Sequence, residues 1–196
     1  TDSIGLSANE VVYVVLKYHY IREVKKTGYQ YQENVVIDAK LREIAIWMLV
    51  NTDKQHFGLL INGKAGTGKT IIAKAVINTF CDIKQNENVA KFRTCKEIKE
   101  ISRYLTSDDF FKTIKGVGYS ILAMDDLGAS NETVMRYGEQ IEPVQDIIFD
   151  RYDKRKCTII TTNLNQDEIV QYYGERIYDR IKGSFLKINI PLQSFR

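Results

Sequence analysis

Apolar residues recur along this chain in two rhythms: long stretches at helical spacing, and short unbroken runs bounded by Gly, Asn and Asp. Ser7-Ala8-Asn9-Glu10 carries the Ser, and the Glu three later, of a helix capping box. The apolar stretch Val11 to Ile21 follows, and Lys25, Lys26 and Gly28 read as a helix stop. The valines also suit a strand, but about 18 residues is too long for most strands, so a helix is expected. Leu41, Ile44, Ala45, Met48 and Leu49 predict a second helix near Val35 to Val50. Short apolar runs then predict strands at Phe57–Asn62, Val89–Arg93, Ser120–Met124, Thr158–Thr162 and Phe185–Ile190. Helices are expected between them. One covers Ile71–Phe80, and one runs to about Leu105 from a capping box at Thr94–Glu97. A short one spans Asp108–Lys115, broken by Gly116 and Gly118. Glu139–Lys154 has Ile141, Val144, Ile147, Ile148 and Tyr152 near one face, and Gln166–Lys182 is interrupted around Gly174. This alternation is that of an α/β fold: a parallel sheet of five strands flanked by helices. No internal repeat, low-complexity tract or linker stands out. Residues 1–35 read as a helical extension before the core, and residues 36–196 as the main domain.

Composition narrows the class. The chain has 196 residues, 44% apolar and 27% charged, with 2 Pro, which suits one domain with a real core and excludes a disordered or collagen-like chain. The longest purely apolar run, Ile44 to Val50, is seven residues. A membrane span needs about 20, so none is expected. No signal peptide is visible, and the chain opens at Thr1 without an initiator Met, so residues of the natural protein can be missing. The net charge of +3 permits nucleic-acid binding without arguing for it. Cys81, Cys95 and Cys157 are widely spaced, and with only His19 and His56 available no zinc-site spacing exists. Three reduced cysteines in a cytoplasmic protein are the expectation.

Four segments carry the candidate chemistry. Gly63-Lys64-Ala65-Gly66-Thr67-Gly68-Lys69-Thr70 matches the phosphate-loop pattern at every fixed position, with a strand before it and a helix after it that opens near Ile71. Glycines let such a loop wrap a phosphate chain, and its N–H groups and the helix N-terminus face the anion. Lys69 would reach the β- and γ-phosphates of ATP, and the Thr70 hydroxyl would ligate Mg²⁺. Beyond the loop, Ile121-Leu122-Ala123-Met124-Asp125-Asp126 is an apolar strand ending in carboxylates, at the end where open α/β sheets bind ligands. Asp125 is the candidate for Mg²⁺, and Asp126 for orienting or deprotonating the attacking water. Thr158-Ile159-Ile160-Thr161-Thr162-Asn163 puts neutral hydrogen-bonding groups beside those carboxylates if the two strands are neighbours. Asn163 can then sense the γ-phosphate, or it can cap the helix starting near Gln166. In Gly174-Glu175-Arg176-Ile177-Tyr178-Asp179-Arg180, Arg176 and Arg180 share a helix face. A guanidinium there can stabilise a transferring phosphoryl group. On spacing alone, pairing with Glu175 or Asp179, or a solvated face, is the plainer reading.

With these four segments in order, residues 36 to 196 resemble the AAA+ ATPases of the DnaC/DnaI helicase-loader type and their relative IstB, the transposition helper. GKAGTGKT and LAMDDLG are shared widely among ATPases. TIITTNLN and GERIYDRI look like the sensor and arginine-finger segments of this family, and Ser194-Phe195-Arg196 like its end. The resemblance implies adjacent Walker B and sensor strands and slow ATP hydrolysis stimulated by assembly or DNA. It also implies a nucleotide-dependent homo-oligomer and contact with single-stranded DNA and a replicative helicase or transposase. It puts the finger at Arg180, with Arg176 as companion, and a second sensor at Arg196. Many AAA+ proteins carry Asp-Glu where this chain has Asp125-Asp126, so the shorter acid is expected to slow hydrolysis. No helical lid is expected after the last strand.

Two charged segments have competing readings. Lys112 and Lys115, with Phe110, Phe111 and Tyr119, fit a DNA-facing segment, and equally an amphipathic helix with buried Phe. Arg151, Lys154, Arg155 and Lys156 read as a solvated helix end. A small nucleotide kinase shares the phosphate loop but brings an Arg-rich lid that this chain lacks. A module that holds ATP without turnover is the other alternative.

Overall fold

A computed structural model of the chain describes residues 7–50, 56–104, 120–129, 134–136 and 138–191. Two helices come first, α1 (Ala8–Lys26) and α2 (Val35–Val50). Then follow β1 (Gly58–Gly63), α3 (Lys69–Lys84), β2 (Ala90–Thr94), α4 (Cys95–Tyr104), β3 (Ile121–Leu127), β4 (Val134–Arg136) and β5 (Glu139–Ile141). The chain ends with α5 (Pro143–Asp153), β6 (Cys157–Thr162), α6 (Gln166–Tyr173), α7 (Glu175–Ser184) and β7 (Phe185–Ile190).

The five long strands form one sheet in the order β2-β3-β6-β1-β7, and every pairing is parallel. Both faces are covered, which is why the strands are unbroken apolar runs and not alternating ones. Leu59, Ile61, Ala123 and Ile159 point into one hydrophobic cluster with α1, α2 and α3. Leu60, Leu122, Met124 and Ile160 point into the other, with α4, α5, α6 and α7. The first helix is therefore no loose arm: Val12, Leu16 and Tyr20 share a core cluster with Ile72 and Val76 of α3. A contact at the edge of this packing reinforces it, where the buried ring of His19 meets the largely exposed Asp82 at 2.7 Å.

Capping boxes begin α1 at Ser7 and α4 at Thr94, as their spacing predicts. Residues 139–154 differ from the single helix expected of them. Glu139–Ile141 pairs antiparallel with Val134–Arg136, and the helix starts only at Pro143. Proline is well placed at a first helical turn and poorly placed inside a helix, because it has no N–H and clashes with the preceding turn. Arg151 is also not solvated. It is 1% exposed and bonds the starts of β3 and β6 through Ser120 O, Cys157 O and Thr158 Oγ1. It lies three and four residues after Ile148 and Ile147, on the buried face of α5. The expected helix at 108–115, with Phe110, Phe111, Lys112, Lys115 and Tyr119, lies outside the described residues, as does Arg196.

Candidate functional site

The sheet order leaves a crevice at the carboxyl ends of β1, β3 and β6, where the phosphate-loop residues, the two aspartates and Asn163 meet. Gly63 ends β1 so close to its neighbours that a Cβ there would lie 2.8 Å from Ile190 O and 2.9 Å from Thr67 Oγ1. Gly68 caps α3 at φ 85°, a left-handed conformation that glycine adopts without strain. With no side chain capping α3, its first N–H groups are left for a ligand. Thr67 is fully buried, and its hydroxyl donates to Lys64 O at 2.9 Å, which braces the loop.

Lys69 points back over this loop. Its Nζ donates to Gly63 O at 2.8 Å, to Lys64 O at 2.9 Å and to Asn163 Oδ1. It is 7% exposed. Burial pushes its ammonium below the usual lysine range, and the carboxylates of Asp126 and Asp125 pull it back up. Thr70 donates to Asp125, 2.9 Å from Oδ2. Asp125 is buried and also accepts from Thr161 Oγ1 at 2.6 Å. Burial pushes its carboxyl above the usual range, and these two hydroxyls oppose the shift. A buried carboxylate 2.9 Å from a hydroxyl at a helix start, beside a phosphate loop, is a donor set of the oxygen type that suits Mg²⁺. Asp126 sits one residue on, with Asn163 Nδ2 donating to its Oδ1 at 3.4 Å.

Asn163 thus bonds both the lysine and the second aspartate, and it does not cap the following helix. Asn165 does that, in a capping box with Glu168. Lys69, Thr70, Asp126 and Asn163 line one cavity of about 830 Å³ together with Ala65, Gly66, Gly68 and Ile71. Gly63 and Lys64 reach the site through their carbonyls, and Asp125 through Thr70.

The other wall of this cavity comes from residues that the motifs do not contain. Tyr20 and Val24 of α1 line it, with Tyr29, Gln30, Tyr31 and Asn34 of the segment joining α1 to α2. Tyr20 and Tyr31 meet edge to face, ring centroids 6.3 Å apart. Burial raises the Tyr20 hydroxyl to about 12. The segment is held from behind. Lys17 bonds Glu33 at 3.1 Å and Asp38 at 2.8 Å, Asp38 also accepts from the Tyr13 hydroxyl, and the Arg42 guanidinium covers the Tyr13 ring at 3.9 Å. No period marks these residues in the sequence; a run mixing Tyr, Gln and Asn before a helix is the only hint.

Arg180 is not brought to this cavity. Its guanidinium lies 4.1 Å from the Phe149 ring and 4.9 Å from the Tyr152 ring, and pairs with Asp153 at 3.5 Å. Arg176 stands over the same Phe149 ring at 5.5 Å. The expected pairing with Glu175 or Asp179 is replaced by packing on α5. Among the described residues no arginine lines the cavity.

The model of the ATPase family associated with various cellular activities matches residues 59–182. No curated protein matches the chain in sequence. Solved structures match in fold. The DnaC helicase loader is 24% identical over 82% of this chain and 93% of its own, with a TM-score of 0.66. DnaI is 19% identical over 87% of this chain and 89% of its own, with a TM-score of 0.61. DnaA from Aquifex aeolicus, bound to AMPPCP, is 14% identical over 83% of this chain and 48% of its own, with a TM-score of 0.61.

Proposed function

The chain belongs to this AAA family of ATPases, and on that premise we propose that it is an ATP-switched loader of the DnaC type that acts in DNA replication. One observation carries the reading: Lys69, Thr70, Asp125, Asp126 and Asn163 converge on one cavity at the strand ends of a fold shared with a helicase loader. In this reading ATP lies with its phosphates on residues 63–71 and its base in the chamber of Tyr20, Tyr29 and Tyr31. The extension 1–35 and the ATPase domain 36–196 would then bind the nucleotide together.

Thr70 and Asp125 would hold Mg²⁺, which would supply positive charge to the β- and γ-phosphates. Lys69 follows the γ-phosphate as charge develops on it. Asp126 orients the attacking water and accepts its proton, and Asn163 fixes Asp126 and the water together. Water oxygen bonds to the γ-phosphorus, the bond to the bridging oxygen breaks, and ADP and phosphate leave.

Arg180 packs on α5 and not in its own chain's cavity, so the arginine for the transition state is taken to come from a neighbouring copy. Arg180 is the candidate, and Arg196 the second sensor. A nucleotide-dependent homo-oligomer follows. A replicative helicase and single-stranded DNA are its proposed partners, and transposase assistance is the alternative within the same fold. No described helix is long and apolar enough to cross a membrane, in keeping with the cytoplasmic setting we propose.

Two measurements test this. ATPase activity is compared with and without single-stranded DNA, and co-purification with a replicative helicase is compared with and without ATP. Stimulated turnover and ATP-dependent co-purification are expected. ATP binding with no turnover under any condition would leave an ATP-holding module, a reading that the short Asp126 side chain favours.

A further inference from the structure

The ends of β3 and β6 do not run evenly side by side. Their register slips between Met124 and Leu127, and Asp126 takes φ 63°. A non-glycine residue persists in that conformation only where its surroundings fix it. Thr161 stands in the slip, 1% exposed. Its hydroxyl donates to Asp125 Oδ1 at 2.6 Å and accepts the Asp126 backbone N–H at 2.8 Å. A hydroxyl has one proton, so accepting from Asp126 leaves that proton for Asp125. Of the two acids, Thr70 bonds only Asp125 and Asn163 bonds only Asp126. Among the described residues, Thr161 is the one side chain bonded to both acids. On the opposite face of β6, Thr162 bonds Leu127 O at 2.8 Å and closes the far side of the bulge.

We propose that Thr161 is a positioning residue that sets the metal-facing carboxylate of Asp125 and the water-facing turn at Asp126 through a single hydroxyl. Metal grip and turnover are therefore lost together when that hydroxyl is removed, while the hold on the nucleotide itself is kept. The inference rests on the ATPase reading above. It adds a residue outside the phosphate loop, and it gives threonine a reason at this position. β-Branching keeps χ1 narrow, so the oxygen stays between its two partners.

The full-length chain is tested as Thr161→Val, which keeps shape and branching but removes the hydroxyl, and as Thr161→Ser, which keeps the hydroxyl. The probe is ATP carrying a fluorescent methylanthraniloyl group. Its affinity is measured in EDTA, and Mg²⁺ is then titrated in. Thr161→Val should bind the probe in EDTA within about twofold of the parent. It should need about 10-fold more Mg²⁺ for half its effect and lose at least about 10-fold in kcat, the scale of losing an outer partner of a metal ligand. Thr161→Ser should bring both back to within about threefold. Should the valine variant not fold, Thr161→Ala is judged on the same values.

Mg²⁺ midpoint and kcat both unchanged without the hydroxyl would overturn the inference. So would a loss that serine fails to rescue, since that reports packing alone. A parent chain that binds no probe either in EDTA or with saturating Mg²⁺ would sink the ATPase reading first, and the inference with it. A parent that binds only with Mg²⁺, at a half-saturating concentration that Thr161→Val leaves unchanged, would overturn the inference alone.

Discussion

Two buried cations sit at opposite ends of the same parallel sheet. Lys69 lies at the carboxyl ends of the strands, against Gly63 O, Lys64 O and Asn163. Arg151 lies at the amino ends, against Ser120 O, Cys157 O and Thr158. Both are nearly inaccessible, and burial lowers the proton affinity of both, bringing the Arg151 guanidinium down to about 10. A depressed pKa therefore does not separate a site from a staple. Space and partners do. The acceptors around Lys69 belong to a loop and a strand end beside an 830 Å³ cavity, with two carboxylates close by. Those around Arg151 are mostly backbone carbonyls that order two strand starts.

The comparison breaks hardest at Lys69. Lys69→Ala should lower turnover on the order of 10³-fold, because it removes the mobile cation that meets developing γ-phosphate charge. Its Tm should stay close to the parent's, since the side chain projects over the loop and not into either core cluster. Steady-state ATPase and a thermal melt check both halves; activity within twofold of the parent would remove Lys69 from the site. A smaller effect is expected two strands over, at the end of β3. Asp126→Asn keeps the volume and removes the charge, so turnover should fall about 10²-fold with labelled-ATP binding intact. No change in turnover would mean that another residue positions the water.

At the other end of the sheet the same kind of substitution should read out as stability. Arg151→Met removes a buried charge that has one unpaired nitrogen, Nη1. That relief partly offsets the two carbonyls and the Thr158 hydroxyl left without their donor. The net loss should be about 2 kcal/mol, lowering Tm by about 4–8 °C in a chain of this size. ATP affinity per folded molecule should not change. A normal Tm with weakened ATP binding would mean that the two ends of the sheet are coupled.

These two ends were not equally legible in the sequence. The phosphate loop, the acid-tipped β3 and the Asn-tipped β6 are fixed spacings on strands whose apolar runs are unmistakable. Their adjacency is what the β3–β6 pairing delivers. Arg151 reads as a solvated helix end if charge alone is weighed. The period of α5 tells otherwise, since Ile147, Ile148 and Arg151 share one face. The Thr-Thr-Asn end of β6 announces hydrogen-bonding groups beside the carboxylates, but not that Thr161 would bond both aspartates, because that pairing exists only through a register slip between residues 36 apart in the chain. The tyrosine wall is hidden for a related reason: Tyr20 reaches the cavity by α1 packing on α3, a tertiary contact without local pattern. Pro143 did mark the true start of α5, and the apolar period running back to Ile141 masked it.

Arg180 lies outside this pair of ends and gives the finest test of where catalytic charge comes from. It packs on Phe149 and Tyr152 and pairs with the exposed Asp153. Contacts of this kind contribute about 1 kcal/mol or less, so Arg180→Ala should fold nearly as the parent does. If Arg180 acts on a neighbour's nucleotide, the Arg180→Ala chain still has a sound phosphate loop, and the Lys69→Ala chain still presents a sound finger. Each alone should be inactive. In an equimolar mixture of head-to-tail assemblies, about a quarter of interfaces join a sound loop to a sound finger if the subunits assort at random. Activity should therefore return to about a quarter of the parent's, only a fourfold gap, and should rise with protein concentration as interfaces form. The measurement is steady-state ATPase of each variant alone and of the mixture, with oligomer size followed by light scattering. A mixture no more active than the sum of its parts, while both variants still assemble, would assign Arg180 to its contacts on α5 alone. The charge at the γ-phosphate would then have to come from within one chain, from Lys69 together with the proposed second sensor Arg196.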